Sequence, residues 1–347
     1  MSEAGQVRAE WDDADSEGST ISRAHDMTSL NELDRLLSDI AALVNSYNAE
    51  ILHRNPHVDS IYAYTKAKHR GDVGLFKVFW RKLVLLLFLR RQRFDYVIVA
   101  GRANNNVMRM LRFIKPGQLI RFPCGAPIKP AEIAVAGQCA QLHEANDTLR
   151  LLEPLGIRDS QSAPRIYPDP AIVNSLRDRI LQSKGPARGP LIGIHISARK
   201  PSQRWPTSCF VELVKALRLR HDAAFVLLWS PGATSDKRHP GDDEKAAKLS
   251  TQLGGLPLLA LPTAKLSYLI AALSLCDNVI CSDGGAMHIA AALGKPIVCL
   301  FGNSDPKRWH PIGVSYRLLQ PESLDIKDVS AAELLAAYDE LMLTTQY

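Results

Sequence analysis

The sequence predicts an α/β protein with a doubly wound parallel sheet in its second half. Three observations carry that expectation. From residue 191 to residue 302, short apolar runs alternate with segments of helical spacing in a regular βαβ rhythm. The runs are rich in β-branched residues, as strands buried on both faces are. And in SDGGAMHIAAALGKP (282–296), two glycines stand between one such run and a small-residue helix that stops at Gly294, with Pro296 just beyond.

Residues 1–30 read as an acidic disordered leader with little periodicity. Residues 1–38 hold nine acids and three bases in a chain of net charge +6, so the body is strongly basic. Structure is expected from about Leu30, with a short helix through Leu33, Leu36 and Leu37 and a strand at 40–44. A helix over 75–92, a strand in FDYVIVAG (94–101) and helical segments near 104–114 and 138–155 fill a first domain, 31–170. The Pro- and Ser-rich stretch RDSQSAPRIYPDP (158–170) and SKGPARGP (183–190) bracket a linker at 171–190. The second domain, 191–325, has strands at 191–197, 224–229, 256–261, 278–282 and 297–302. Helices at 207–220, 242–253, 265–276 and 287–293 separate them. The segment 326–347 holds a last helix, 330–343, placed to cross back over the first domain.

Six cysteines (124, 139, 209, 276, 281, 299) lack C-x-x-C spacing, so buried reduced thiols are expected, with no disulfide framework and no metal site. No apolar segment follows a basic start, as a secretory signal would require. The longest apolar run, LVLLLFL (83–89), falls far short of the roughly 20 residues of a membrane helix. Arg81, Lys82, Arg90, Arg91 and Arg93 flank it. It reads either as a buried helix with a solvated basic end or as a basic, membrane-facing helix against anionic lipid or glycolipid. The basic body suits a phosphate-bearing partner; no nucleic-acid module is present.

Three clusters fall at strand carboxyl ends, where ligands bind in such sheets. HISARKPSQRWP (195–206) offers Ser197, Arg199, Lys200 and Arg204 to grip a diphosphate, or else a solvated loop rimmed by charge. In the SDGGAMH turn, Gly284 and Gly285 would let an anion approach backbone N–H groups at the positive end of a helix, with Asp283 and His288 at its rim. His288 has a plainer reading as a packed core residue. LFGNSDPKRWHP (300–311) is either a ligand loop or a turn built by Asn-Ser-Asp-Pro chemistry. GDVG (71–74) and GGLP (254–257) are isolated, and no G-x-G-x-x-G or Walker loop is present, which disfavours a nicotinamide dehydrogenase.

HISARKPSQRWP, CDNVICSDGGAMHIAAALGKPIVCLFG and DPKRWHP, in that order, resemble the C-terminal half of the lipopolysaccharide heptosyltransferases, glycosyltransferase family 9. ALVNSYNAEILHRNPHVDSIYAY (42–64) is similar to the family's NP-x-VD region. The resemblance covers about residues 40–347. It implies a GT-B architecture of two Rossmann-like domains facing across a cleft. It also implies an inverting, metal-independent transfer of a heptose from an ADP-sugar to the lipopolysaccharide core, without cofactor, at the cytoplasmic face of the inner membrane with peripheral contact. By position, Ser197, Arg199, Lys200 and Arg204 would meet the pyrophosphate, and Asp283, Gly284, Gly285, Ala286 and His288 the phosphates and nearby sugar hydroxyls.

Two departures stand out. Gln203 replaces the lysine of the family's Lys-Arg-Trp-Pro, so a cation is gone or its work has moved to Arg199 and Lys200. The usual first strand with its Gly-Asp turn, whose aspartate is the family's candidate base, has no counterpart in residues 1–38. Asp39 and Glu50 are nearby carboxylates off that turn, and no catalytic residue is named. The rival readings are a non-catalytic nucleotide-sugar-binding relative and a GT-B epimerase, which product analysis would separate.

Overall fold

The computed structural model describes residues 19–23, 39–64, 75–101, 105–123, 127–137, 142–158, 163–236 and 240–345. GDVG, Cys124, Cys139 and the helix expected near Leu33 lie outside them. The chain divides into two units, Met1–Gln161 and Ser162–Tyr347.

In the first unit the order is β1 (Ser19–Arg23), β2 (Asp39–Asn45), α1 (Ala49–Leu52), β3 (Ser60–Tyr64), α2 (Leu75–Arg91), β4 (Tyr96–Val99), α3 (Asn105–Ile114), β5 (Gln118–Arg121), β6 (Glu132–Ala134) and α4 (Glu144–Leu149). The sheet runs β3-β2-β1-β4-β5-β6. Residues alternate across it. Ala41 and Leu43 join a core with Leu85, Leu89, Val97 and Leu111, while Ala42 and Val44 pack with Ala49 on the other face. Arg121, fully buried at the end of β5, is held by Glu132 through two bonds of 3.1 and 2.9 Å, which satisfies a charge that would otherwise be costly there.

The sheet corrects the leader expected at 1–30. Ser19–Arg23 (STISR) is a strand at the centre of the sheet, antiparallel to both neighbours: Ser19 pairs with Leu43 and Val99, and Arg23 with Asp39. Among the described residues, the slot of the usual parallel first strand is filled by this antiparallel one. The ladders of β2 and β4 are thus not left open.

In the second unit, α5 (Pro170–Lys184) precedes β7 (Leu191–His195), α6 (Thr207–His221), β8 (Ala224–Trp229), α7 (Asp243–Gln252), β9 (Leu258–Pro262), α8 (Leu266–Leu275), β10 (Asn278–Ser282), α9 (Gly285–Ala292), β11 (Ile297–Leu300), α10 (Pro306–Trp309), β12 (Tyr316–Leu319) and α11 (Ala331–Thr345). All strand pairs are parallel, in the order β12-β11-β10-β7-β8-β9. β12 was not anticipated: four residues with a central arginine give little signal.

The linker expected at 171–190 is a second correction. Asp169 caps α5 by accepting from the Ala171 N–H at 2.9 Å, with Pro170 in the first turn. The prolines there start a helix. SKGPARGP then runs into β7 beside the start of β8, where the Gly189 N–H donates to the Asp222 carbonyl at 3.1 Å. The last helix packs on the core of the second unit. Leu334, Tyr338 and Leu341 of α11 are fully buried with Trp205 and Leu217, and the Tyr338 hydroxyl donates to Asn278 at 3.0 Å. Cys276, Cys281 and Cys299 are buried free thiols, with Cys281 and Cys299 opposite each other on β10 and β11. Burial pushes both of these thiols far above their ordinary pKa.

Candidate functional site

β7, β10 and β11 are consecutive in the second sheet, so their carboxyl ends bring the three sequence clusters side by side. Gln203 ties them together. Buried in a short 3₁₀ turn, its amide donates to the Asp283 carboxylate at 2.6 Å and to the Ser304 hydroxyl at 2.9 Å. The Lys200 ammonium reaches the same Ser304 oxygen at 3.1 Å, and Ser202 bonds Asn303 at 3.1 Å. The two loops touch at Gly302, where a Cβ would lie 2.4 Å from the Ser202 carbonyl oxygen. A side chain at 302 would force them apart.

Beside this junction α9 begins. Gly284 takes φ +154°, which side-chain-bearing residues rarely adopt. Gly284 and Gly285 are exposed, Ala286 is buried, and a Cβ at either glycine would enter open space. No side chain caps this helix. Its first-turn N–H groups and dipole therefore face an open volume. The half-buried His288 ring stands 6.3 Å from that of Trp309, tilted by 65°.

The remaining candidates are spread out. Ser197 accepts from the Ser230 N–H at 2.9 Å, and Arg199 is exposed. Arg204 is held by its neighbours. Its Nε donates to the Ala198 carbonyl at 2.8 Å, and a terminal nitrogen lies 3.4 Å from the buried Asp242 carboxylate. In the third cluster the turn chemistry holds: Asp305 caps α10 by accepting from the Lys307 N–H at 2.9 Å.

Lys245, on α7, was missed. Its ammonium donates to the Ile196 carbonyl at 3.2 Å and the Trp205 carbonyl at 2.8 Å, and lies 4.7 Å from the centre of the Phe210 ring. It thus fastens both ends of the loop that carries Ser197 to Arg204. Burial lowers its pKa from 10.5 to about 8, with Asp242 opposing and Arg204 reinforcing the shift. Neighbouring His195 is lowered from 6.5 to about 4, by burial first and then by Lys245. A lone lysine on a polar helix carries no sequence signal for such a role. Gln203 had one, in its place within QRWP, but it read as a lost cation rather than a bridge.

The model for glycosyltransferase family 9 (heptosyltransferase) matches residues 138–336, more than half of the chain. The chain belongs to glycosyltransferase family 9. Lipopolysaccharide heptosyltransferase 2 of Escherichia coli K12 is 30% identical over 132 residues, which are 38% of this chain and 36% of that one. The match therefore spans little more than a third of that relative's length. Among solved structures, a family 9 glycosyltransferase of Veillonella parvula DSM 2008 superposes with a TM-score of 0.71 at 19% identity, covering 87% of this chain and 88% of that one. The E. coli ADP-heptose lps heptosyltransferase II gives 0.66 at 17%, covering 88% and 89%. At these identities the likeness is one of fold, and it extends over both units of this family 9 chain. The expected GT-B fold class agrees with these matches.

Proposed function

We propose that this family 9 chain transfers a heptose or similar sugar from an ADP-sugar to a lipopolysaccharide core, with inversion and without a metal. The observation that carries the reading is the junction at Gln203. It gathers Lys200, Asp283 and the open start of α9 at the carboxyl ends of three adjacent strands, the edge where such sheets bind ligands. In the transfer, an acceptor hydroxyl gives its proton to a base, its oxygen bonds the anomeric carbon and the bond to the diphosphate breaks. The developing charge goes to ADP. Lys200 and the N–H groups of Gly285 and Ala286 would receive that charge, and preorganised donors are the strongest device for doing so. Lys200 takes the place of the cation absent at 203, because its ammonium ends on the same Ser304 oxygen as the Gln203 amide. Asp283, Gly284 and His288 shape the rim, while Ser197, Arg199 and Arg204 serve the loop or its outer edge.

One observation favours the second reading, a nucleotide-sugar-binding relative without transferase activity. An antiparallel β1 has its carboxyl end beside Asp39, the amino end of β2. The carboxyl end of β1 is therefore at the edge opposite to the carboxyl ends of β2 and β4, the wrong edge for a base. Asp39 is on that wrong edge too, while Glu50 on α1 follows the carboxyl end of β2. The acceptor half of the reading includes peripheral contact with a membrane that carries the lipopolysaccharide.

The first experiment is thermal unfolding with ADP, UDP, GDP or no nucleotide. A ligand at 100 times its Kd adds about 2.7 kcal/mol to the folded state. A shift selective for ADP supports the donor site, and a shift for none of them overturns it. Product analysis with ADP-heptose and core acceptor then separates transferase from binding protein.

A further inference from the structure

Helix α2 is apolar on two faces but buries one. Leu85 and Leu89 sit in the core of the first unit with Phe94 and Leu111. On the other face Trp80 is 56% exposed, Val84 38%, Leu87 41% and Phe88 44%. Spacings of four, three and one residues put these four on a single stripe at helical period. One exposed leucine needs no explanation, but four large apolar side chains in a row do.

The stripe is framed by positive charge. Residues 80–93 (WRKLVLLLFLRRQR) contain five cations and no acid. Arg90 folds back onto the neighbouring helix, donating to the Phe113 carbonyl at 2.7 Å with its guanidinium 5.2 Å from that ring. This joins the exposed Phe113 to the patch. Arg91 and Arg93 are exposed. The Lys82 pKa is lowered first by burial and then by nearby Arg109. A helix C-terminus favours cations, which accounts for Arg90 and Arg91 but not for Arg81 and Lys82, nine residues earlier.

We infer that the outer face of α2 docks onto an anionic lipid bilayer, its apolar stripe lying in the headgroup boundary and its arginines on lipid phosphates. The inference deepens the membrane-contact part of the proposed function and does not depend on the donor chemistry. The 17-residue helix is about 25 Å long and packed along one side, so it lies on the surface. Among the described residues no helix is long and apolar enough to cross a membrane. A second copy of the chain fits poorly, because a two-fold contact through this stripe would set its cationic rims against each other. A plane of anionic headgroups complements both parts of the patch.

The test is co-sedimentation of the full chain with vesicles of phosphatidylcholine alone or mixed with phosphatidylglycerol. The parent protein should pellet with the anionic vesicles, less so as salt is raised. Val84→Glu/Leu87→Glu should bind at least about tenfold more weakly while melting like the parent. If the double variant unfolds, Val84→Ser/Leu87→Ser takes its place with the same expectation. Undiminished pelleting of a folded variant overturns this surface but leaves membrane contact standing. No pelleting of the parent overturns both. A parent dimer that the variant converts to monomer assigns the stripe to self-association and overturns the inference as well.

Discussion

The two units share one plan and execute it differently. Counted from the first strand of each, both sheets run 3-2-1-4-5-6, with the first strand central. In the second unit that strand, β7, is parallel to its neighbours, and its carboxyl end feeds the loop that meets Asp283 and Ser304. In the first unit β1 is antiparallel, so it completes the hydrogen bonding with its carboxyl end at the opposite edge from those of β2 and β4. A sheet needs its central ladder filled, and either direction serves that purpose. A site needs the direction too.

The largest effects should come from emptying the core of the second unit and from breaking β1. Ile21 pairs with Ala41 on one side and Val97 on the other. Ile21→Pro removes a ladder donor in a central strand and leaves its acceptor unpaired, at a cost of about 1–3 kcal/mol. Calorimetry should show the first unit melting earlier, with the second unit unmoved. A single unchanged transition would mean that β1 is dispensable. In the second unit, Trp205→Ala empties a fully buried site whose indole donates to the Val329 carbonyl at 2.8 Å. A loss of about 3–5 kcal/mol is expected there, read as an earlier melt of that unit alone.

Next come changes that touch the donor edge without the fold. Gly285→Val puts a side chain into open space at ordinary backbone angles, whereas Gly284→Val adds strain at φ +154°. Both should weaken ADP by at least about tenfold, about 1.4 kcal/mol, but only the second should lower the melting temperature. Equal ADP affinity in Gly285→Val would remove the phosphate from α9. Lys200→Ala should weaken ADP more than adenosine. Arg204→Ala, which unfastens the loop from Ala198 and Asp242, should weaken both.

The smallest effect is one of pH. His195 is neutral when folded and titrates near 4, against 6.5 when free. Between those values the unfolded chain binds more protons, so stability falls as pH drops from 6.5 towards 4. Lys245, lowered to about 8 from 10.5, has the same sign in a higher window, and stability rises as pH climbs through it. Urea midpoints should show both slopes, and His195→Asn should flatten the acidic one. An unaltered acidic slope would place the titration elsewhere.

The second unit was legible because each of its elements carries its own pattern. AFVLLW and NVICS are short apolar runs of the kind buried strands show, and the glycines of SDGGAMH mark a turn by what they lack. Position in the chain was enough to bring Lys200, Asp283 and His288 to one edge. The first unit was legible only where its runs are long, as in FDYVIVAG. STISR was hidden because it is five residues long inside an acidic segment and owes its place to two partners distant in sequence. The prolines before α5 misled for a related reason: proline marks a boundary, and whether that boundary ends a domain or starts a helix depends on the cap beside it. Arg204 shows the limit for a site. Residue type announced a cation near the ligand edge, and only the structure showed its bonds to Ala198 and Asp242.

That loop has a further consequence. With Lys245 closing it at Ile196 and Trp205, and Gln203 and Gly302 pressing it onto its neighbour, it has little left to order when a nucleotide arrives. Binding should then resemble a key entering a finished lock, with association at the pace of encounter. Differences among related nucleotides would appear in how long each one stays.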